Sequence, residues 1–431
     1  CINIYCPQPT ERHDYVFSLI IKSLLGIDYR YVNDVSNAHI NYSSKASSSL
    51  NCTPHGLLDE TKIRESIIEE IQFESWGDTS CFFNTSLQEF PFDLFSATFL
   101  LTSRYEEWLP YTPDLHHRFP AESSILHKNN VLEQPLVNQW ALLLKEILSN
   151  HYPNLVFNPR SFSFLSTIDI DMIWKYRNKG FFRSSLGVFK DLLHADFPAI
   201  KERIAVLTGS KQDPFFNFKW QLDFHNLNQI QTQYFVLLGN HGEYDKNTHY
   251  SNRELRKLLQ ELDTAPNTNV GIHPSYASNY INGRVKEETE RLNLILGKKT
   301  TVSRQHFLMH AMPQTYRNLE ELGIKEDYTM GYSTHLGFRA GIAAPFYWFD
   351  LEKNKSTSLL LFPFCSMDIT PLHYYVQSND EAIRTLQILV DRVKKTGGLY
   401  ISLWHNDSLG EQDRWRGWRT VYEAMIKSIK S

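Results

Sequence analysis

The sequence predicts an α/β fold: a distorted, closed or nearly closed parallel barrel over residues 156–431, preceded by a smaller α/β domain over residues 1–155. Three observations carry this expectation. The chain has 431 residues, a length that suits two or three domains or one barrel with an added domain. Its first third opens in the order β, α, β. From Phe162 onward, short β-branched or aromatic runs alternate with helical stretches, and hairpin signals are few, the pattern of an α/β chain.

In the first third, Ile2 to Cys6 reads as a strand, Tyr15 to Leu25 as a helix closed by Gly26, and Tyr29 to Val32 as a second strand. After the polar tract Asn41 to Ser49, Asp93 is placed to cap a helix running to about Trp108, and Pro135 opens another to about Leu148. The strands expected beyond it are Phe162 to Ile168, Tyr234 to Leu238, Val270 to His273, Thr300 to Val302, Thr329 to Tyr332, Leu359 to Phe362 and Leu399 to Leu403. Between them the spacing predicts helices over Asn252 to Asp263, Lys286 to Leu296, Pro313 to Leu322 and Asp380 to Lys395, with a terminal helix from about Glu411. Seven strand–helix units suit a parallel barrel better than an open six-stranded sheet, and barrel chemistry sits at the carboxyl ends of strands.

Composition narrows the function classes. Hydrophobic residues make up 42% and charged residues 21%, so the chain can bury a large core and disorder is excluded as its main state. The 44 basic against 48 acidic residues leave a formal charge of −4 without a long basic block, which argues against nucleic acid and polybasic membrane binding. No apolar run approaches the roughly 20 residues of a spanning helix. Cys1, Cys6, Cys52, Cys81 and Cys365 are widely spaced and include no Cys-x-x-Cys pair, so neither a disulfide framework nor a thiolate zinc site is indicated, and a cytoplasmic location is expected. Cys1 leads straight into a strand-like run, so a trimmed initiator Met is expected in preference to a lipid anchor. The 27 Phe, 22 Tyr and 9 Trp suit large aromatic cores first and sugar-stacking surfaces second.

Polar residues that end the strand candidates mark the chemistry. Ser166-Thr-Ile-Asp-Ile-Asp171 puts two carboxylates after an apolar run, and their alternation sets Asp169 and Asp171 on the same side of an extended backbone. There they can share a cation or divide work between base and ligand, while the alternative for Asp171 is to cap the next helix. Val270-Gly-Ile-His-Pro-Ser275 delivers His273 to a strand mouth, as ligand or as structural imidazole. Ser303-Arg-Gln-His306 supplies Arg304 and His306, and Ile401-Ser-Leu-Trp-His-Asn-Asp407 supplies His405.

Asp-x-Asp after the first barrel strand, Gly-x-His-Pro after a middle one, an Arg after the next and Leu-Trp-His near the end resemble, in order, the motifs of the polysaccharide deacetylase superfamily. The resemblance covers roughly Phe162 to Ser431. Ser303 to Leu308 and Asp327 to Arg339 look like an uncharacterised bacterial branch of it, and Thr102-Ser-Arg-Tyr-Glu-Glu107 and Asp114 to Ala121 look like that branch's amino-terminal domain of unknown role. The resemblance implies a distorted (β/α)7 barrel and metal-dependent removal of acetyl groups from N-acetylated sugars, a hydrolysis of linear amide C–N bonds. It implies Asp169 as general base, Arg304 as the residue orienting it and His405 as general acid. Asp171 and His273 become ligands of a divalent metal, with zinc the expected ion. Leu403 becomes the wall of an acetyl pocket, and Trp404 and Asp327 are expected to meet the carbohydrate substrate.

One ligand does not carry over. The usual motif has a second histidine four residues after the first, and Ala277 stands there. His306 is expected to complete the metal set from the neighbouring strand, its alternative role being a substrate contact. Ala277 also keeps open a non-catalytic carbohydrate-binding protein on a decayed deacetylase barrel, and a hydrolase of another amide or ester remains a third reading.

Overall fold

The computed structural model describes every residue except 86–89, 180–184, 186–187 and 190. The chain forms two compact units: Cys1–Ser163, His310–Ser366 and Ile388–Ile401 make the first, and Phe164–Met309, Met367–Gln387 and Ser402–Ser431 the second. Both are α/β with parallel strand pairing.

The first unit opens on a parallel sheet in the order Tyr29–Tyr31, Ile2–Tyr5, Ile40–Tyr42, Leu50–Cys52. Ile2, Ile4 and Ile40 are fully buried. Thr10 caps the helix Glu11–Phe17, which continues through Ser18–Leu24 in wider π turns. Asp93 caps the helix Leu94–Thr102, accepting from the amides of Phe95 and Ser96 at 3.1 Å. That helix was expected to reach Trp108. It stops at Thr102 because Arg104 takes a left-handed conformation with φ of 54°, where its guanidinium pairs with Glu106 and Glu107. The helix Leu136–His151 follows its apolar spacing.

The unit also holds an antiparallel hairpin, Phe346–Asp350 with Lys355–Leu361, whose second strand pairs in parallel with Glu326–Asp327. The strand expected over Thr329 to Tyr332 is displaced to Glu326–Asp327. At Gly331 a Cβ would lie 2.3 Å from the Phe364 ring, so the chain there packs against an aromatic face in place of running as a ladder.

The second unit carries the parallel ladder Ser163–Ile170, Thr232–Val236, Thr268–Ile272, Val302–Ser303. The Ser402–His405 end of the strand Leu399–His405 flanks Ser163–Ile170 on its other side. Ile168, Ile170, Tyr234, Val236, Val270 and Ile272 are buried, as near-continuous apolar runs are when both faces of a parallel sheet are covered. Asn252 caps the helix Arg253–Thr264, its side chain accepting from Leu255 N at 3.0 Å. The helix Arg284–Leu296 falls where apolar spacing expects it, whereas the terminal helix, expected from about Glu411, begins only at Trp418 and runs to Lys430, because Glu411, Asp413 and Gly417 take left-handed conformations before it. Among the described residues no closed ring of strands is found, and the architecture stands as α/β with parallel sheets. Among them, too, no helix is long and apolar enough to cross a membrane.

Candidate active site

Polar residues at or just beyond the ends of three ladder strands, and of the strand Leu399–His405 that flanks them, meet in one place. Asp169 is the penultimate residue of Ser163–Ile170 and is paired in register with Phe235, which is paired with Gly271. A Cβ at Gly271 would lie 2.8 Å from the Val302 carbonyl and 3.0 Å from the Phe235 ring, so only glycine lets that ring lie flat there. The ring in turn carries the Arg304 guanidinium at 4.6 Å from its centroid, a cation–π contact. Arg304 is fully buried and donates from Nη1 to Asp169 Oδ1 at 2.9 Å. A buried pair with this geometry leaves Asp169 Oδ2 as the oxygen facing the site.

Asp171 follows the strand and is the most open member, its side chain 34% exposed. His273 Nε2 lies 3.3 Å from Asp171 Oδ1 and 3.6 Å from Asp169 Oδ2, so the two carboxylates do face one side. His306 Nε2 lies 3.5 Å from Asp171 Oδ2. Asp171, His273 and His306 offer ligand atoms that all lie within 4.8 Å of one another.

The far edges of both imidazoles decide what this cluster can hold. His273 Nδ1 lies 2.6 Å from the Arg304 carbonyl, which can only accept, so Nδ1 carries the proton and a neutral ring presents a bare Nε2. His306 Nδ1 is 2.9 Å from Asp245 Oδ1, and the same argument applies. Bare imidazole nitrogens facing a carboxylate require a positive species between them. Asp171 Oδ1 is buried without a hydrogen bond, as befits an atom whose partner is a cation. Two imidazoles oriented by a carbonyl and a carboxylate, with an aspartate, form a fitting donor set for a divalent ion.

Without that ion, a proton takes its place. Burial pushes the His306 imidazole down, but Asp171 and Asp245 together lift it to about 9. Burial likewise opposes ionisation of Asp171, and His306, His273 and His405 outweigh it, holding the carboxyl well below its usual range. A ligating histidine must lose that proton, so cation binding here is coupled to proton release.

His405, the last residue of its strand, approaches from the opposite side, with Nε2 3.9 Å from Asp171 Oδ2. Its Nδ1 faces both oxygens of Asp368 at 3.1 and 3.2 Å, and its amide donates to Asp368 Oδ2 at 2.7 Å. Burial opposes the imidazolium, and Asp368 above all raises it well over the ordinary histidine value.

The structure therefore brings Asp169, Asp171, His273, Arg304, His306 and His405 into one group. Leu403 is fully buried on the same strand as His405, and its carbonyl accepts from the Asp368 amide at 2.9 Å. Trp404 turns the other way and is 1% exposed, packed edge-on against Tyr422 at 4.9 Å. Asp327 belongs to the first unit, where it is fully buried and accepts from the amide and hydroxyl of Thr329.

Two carboxylates that orient the imidazoles escape a reading by strand ends. Asp245 lies in the loop between Val236 and Arg253 and also accepts from the amides of Tyr276 at 2.8 Å and Ala277 at 3.1 Å. Asp368 follows the two-residue strand Ser366–Met367. The available signal was an aspartate shortly after each strand, which in a loop is too common to single out.

The family described as "Family of unknown function (DUF7033)" matches residues 2–153. No curated protein matches the chain. Among solved structures it is similar to a protein assigned as a polysaccharide deacetylase from Mycobacterium smegmatis, at 14% identity over 62% of this chain and 84% of that one, with a TM-score of 0.40. A 4-alpha-glucanotransferase from Thermococcus litoralis matches at 11% identity over 63% of this chain and 37% of that one, with a TM-score of 0.37. A polysaccharide deacetylase from Bacillus cereus matches at 12% identity over 63% and 87%, with a TM-score of 0.30. With overlap this slight, the functional reading rests on the side chains.

Proposed function

We propose that the second unit is a metal-dependent hydrolase that removes acetyl groups from N-acetylated sugars, on a scaffold of the distorted (β/α)7 kind. The observation that carries this reading is the pair of imidazoles with engaged Nδ1 edges, facing Asp171 beside an arginine-held aspartate and an aspartate-held histidine. The motif order of the sequence supports the same reaction.

Asp171, His273 and His306 would hold the cation, and two imidazoles with one carboxylate suit zinc. When bound, such an ion supplies Lewis-acid polarisation of the acetamide carbonyl. Asp169 does the work of the base: Arg304 fixes one oxygen, and the other accepts the proton of the attacking water. His405 is the acid on the opposite side. Asp368 holds its Nδ1–H, so the second proton sits on Nε2, facing the site, and passes to the leaving nitrogen as the C–N bond breaks. Water is consumed, acetate and an amine leave, and Asp169 and His405 return to their starting protonation through solvent.

The test is metal analysis of the purified chain together with acetate release from an N-acetylglucosamine tetramer, before and after chelation and on zinc return. Bound divalent cation and chelator-sensitive acetate release are expected. A chain that keeps no divalent cation and releases no acetate from any N-acetylated oligosaccharide overturns the reading.

A further inference from the structure

The second unit holds a cleft of about 780 Å3 whose walls include Trp174, Lys179, His241, Lys246, Asn247 and His249. Its volume lies in the range of small-ligand pockets. Met172, next after Asp171, also lines it, and Lys246 and Asn247 follow Asp245, the carboxylate that orients His306. The cleft is therefore lined by the immediate chain neighbours of two residues of the candidate site.

Two ammonium groups and two imidazoles line this space, and among the described residues no carboxylate does, in a chain whose formal charge is −4. A cleft lined with one sign of charge between low-dielectric walls concentrates ions of the opposite sign. Two walls are also built with polar atoms left over. Asn247 is 5% exposed and Trp174 1%. The Asn247 amide nitrogen donates to the Gly239 carbonyl at 2.7 Å, while its Oδ1 has no hydrogen bond, nor has Trp174 Nε1. An acceptor and a donor left in this way gain partners from the hydroxyls and oxygens of a sugar only once a local side-chain rearrangement exposes them.

We infer that this cleft receives an anionic sugar, so that the substrate of the site is an acidic saccharide carrying a carboxylate or phosphate next to the acetamido residue. The inference rests on the hydrolase reading above and specifies its substrate class. Three probes separate the cases: a neutral N-acetylglucosamine tetramer, a tetramer alternating N-acetylglucosamine with glucuronate, and an oligomer of N-acetylglucosamine joined by phosphodiesters. Acetate release is measured on the wild-type chain, and equilibrium binding on Asp169→Asn.

The acidic probes are expected to exceed the neutral one in kcat/KM by about tenfold at low salt, with the advantage shrinking as salt rises. Lys179→Gln combined with Lys246→Gln is expected to abolish the preference, whereas Lys219→Gln, 85% exposed on a helix, retains it. A preference for only one acidic probe identifies the acidic group and supports the inference. Equal turnover of neutral and acidic probes, or a preference that survives the double variant, overturns it while leaving the hydrolase reading intact. If no probe releases acetate and binding still favours the acidic ones, the hydrolase reading fails and the anionic cleft stands.

Discussion

Each unit buries a cluster of arginine, carboxylate and histidine, and the two clusters are finished differently. In the first unit Glu107 receives Arg339 through two bonds of 2.7 and 2.8 Å and Arg104 through one of 2.7 Å, while Glu106 takes Arg104 at 2.8 Å. All four side chains are at most 5% exposed. In the second unit Asp171 is one-third exposed and faces two imidazoles, which offer it no permanent charge. The first cluster balances two cations against two anions internally; the second leaves an anion to be balanced by something that arrives. The difference separates a charge network that maintains a fold from one arranged to bind.

The histidines sharpen the contrast. His310 sits 3.7 Å from Glu107, yet burial first, and then Arg339, push it down to about 3. His306 is equally buried and is lifted to about 9, because its carboxylate neighbours have no arginine competing for them. A carboxylate near an imidazole raises it only where that negative charge is not already spent.

The largest expected effect falls on the open cluster. Asp169→Asn should lower acetate release by about 10²–10⁴-fold while metal content stays close to wild type, whereas Asp171→Asn should lose the metal. Parallel metal loss in both variants would show the two carboxylates acting as joint ligands. Next comes the closed cluster: Glu107→Gln should cost about 3–5 kcal/mol in urea unfolding, since it leaves two buried guanidinium groups short of charge. A cost near zero would erase the distinction between the clusters.

A smaller effect is expected one step from the cation. Asp245→Asn should weaken zinc affinity about 10–100-fold by loosening His306, and His306→Ala should weaken it further, with His116→Ala, outside the site, as the control. Zinc titration with a competing chelator measures all three, and unchanged affinity in His306→Ala would make His306 a substrate contact. The smallest is a pH effect. A histidine held at about 3 when folded and near 6.5 when unfolded binds its proton in the unfolded chain first. Stability conferred by neutral His310 is thus complete above pH 6.5 and falls by about 1.4 kcal/mol per pH unit as pH drops toward 3. His310→Gln should flatten the difference curve in that window, and identical slopes for variant and wild type would refute the assignment.

Much of this arrangement was legible where a local rule coincides with a tertiary one. Asp93 and Asn252 announce helix starts because a short polar side chain satisfies exposed amides wherever the chain turns into a helix. Asp169, Asp171, His273, Arg304, His306 and His405 stood out because polar residues closing apolar runs have few structural reasons to recur. What stayed hidden depends on distant partners. Phe346–Asp350 reads as one more aromatic run, and its antiparallel pairing is set by Lys355–Leu361 across a turn. Thr329 to Tyr332 has strand composition, but Phe364 occupies the space a Cβ at Gly331 would need. Asp245 and Asp368 gain meaning only from the imidazoles brought beside them.

The amides of Tyr276 and Ala277 that hold Asp245 bear on how chains like this one are found. At position 277 the contribution to the site is a backbone N–H, which every residue but proline provides, so natural variation there is silent. A search pattern that demands an imidazole four places beyond His273 discards this arrangement at the first step. One that asks for an aspartate in the loop after the second strand of the ladder, and a histidine two places beyond the buried arginine, retains it.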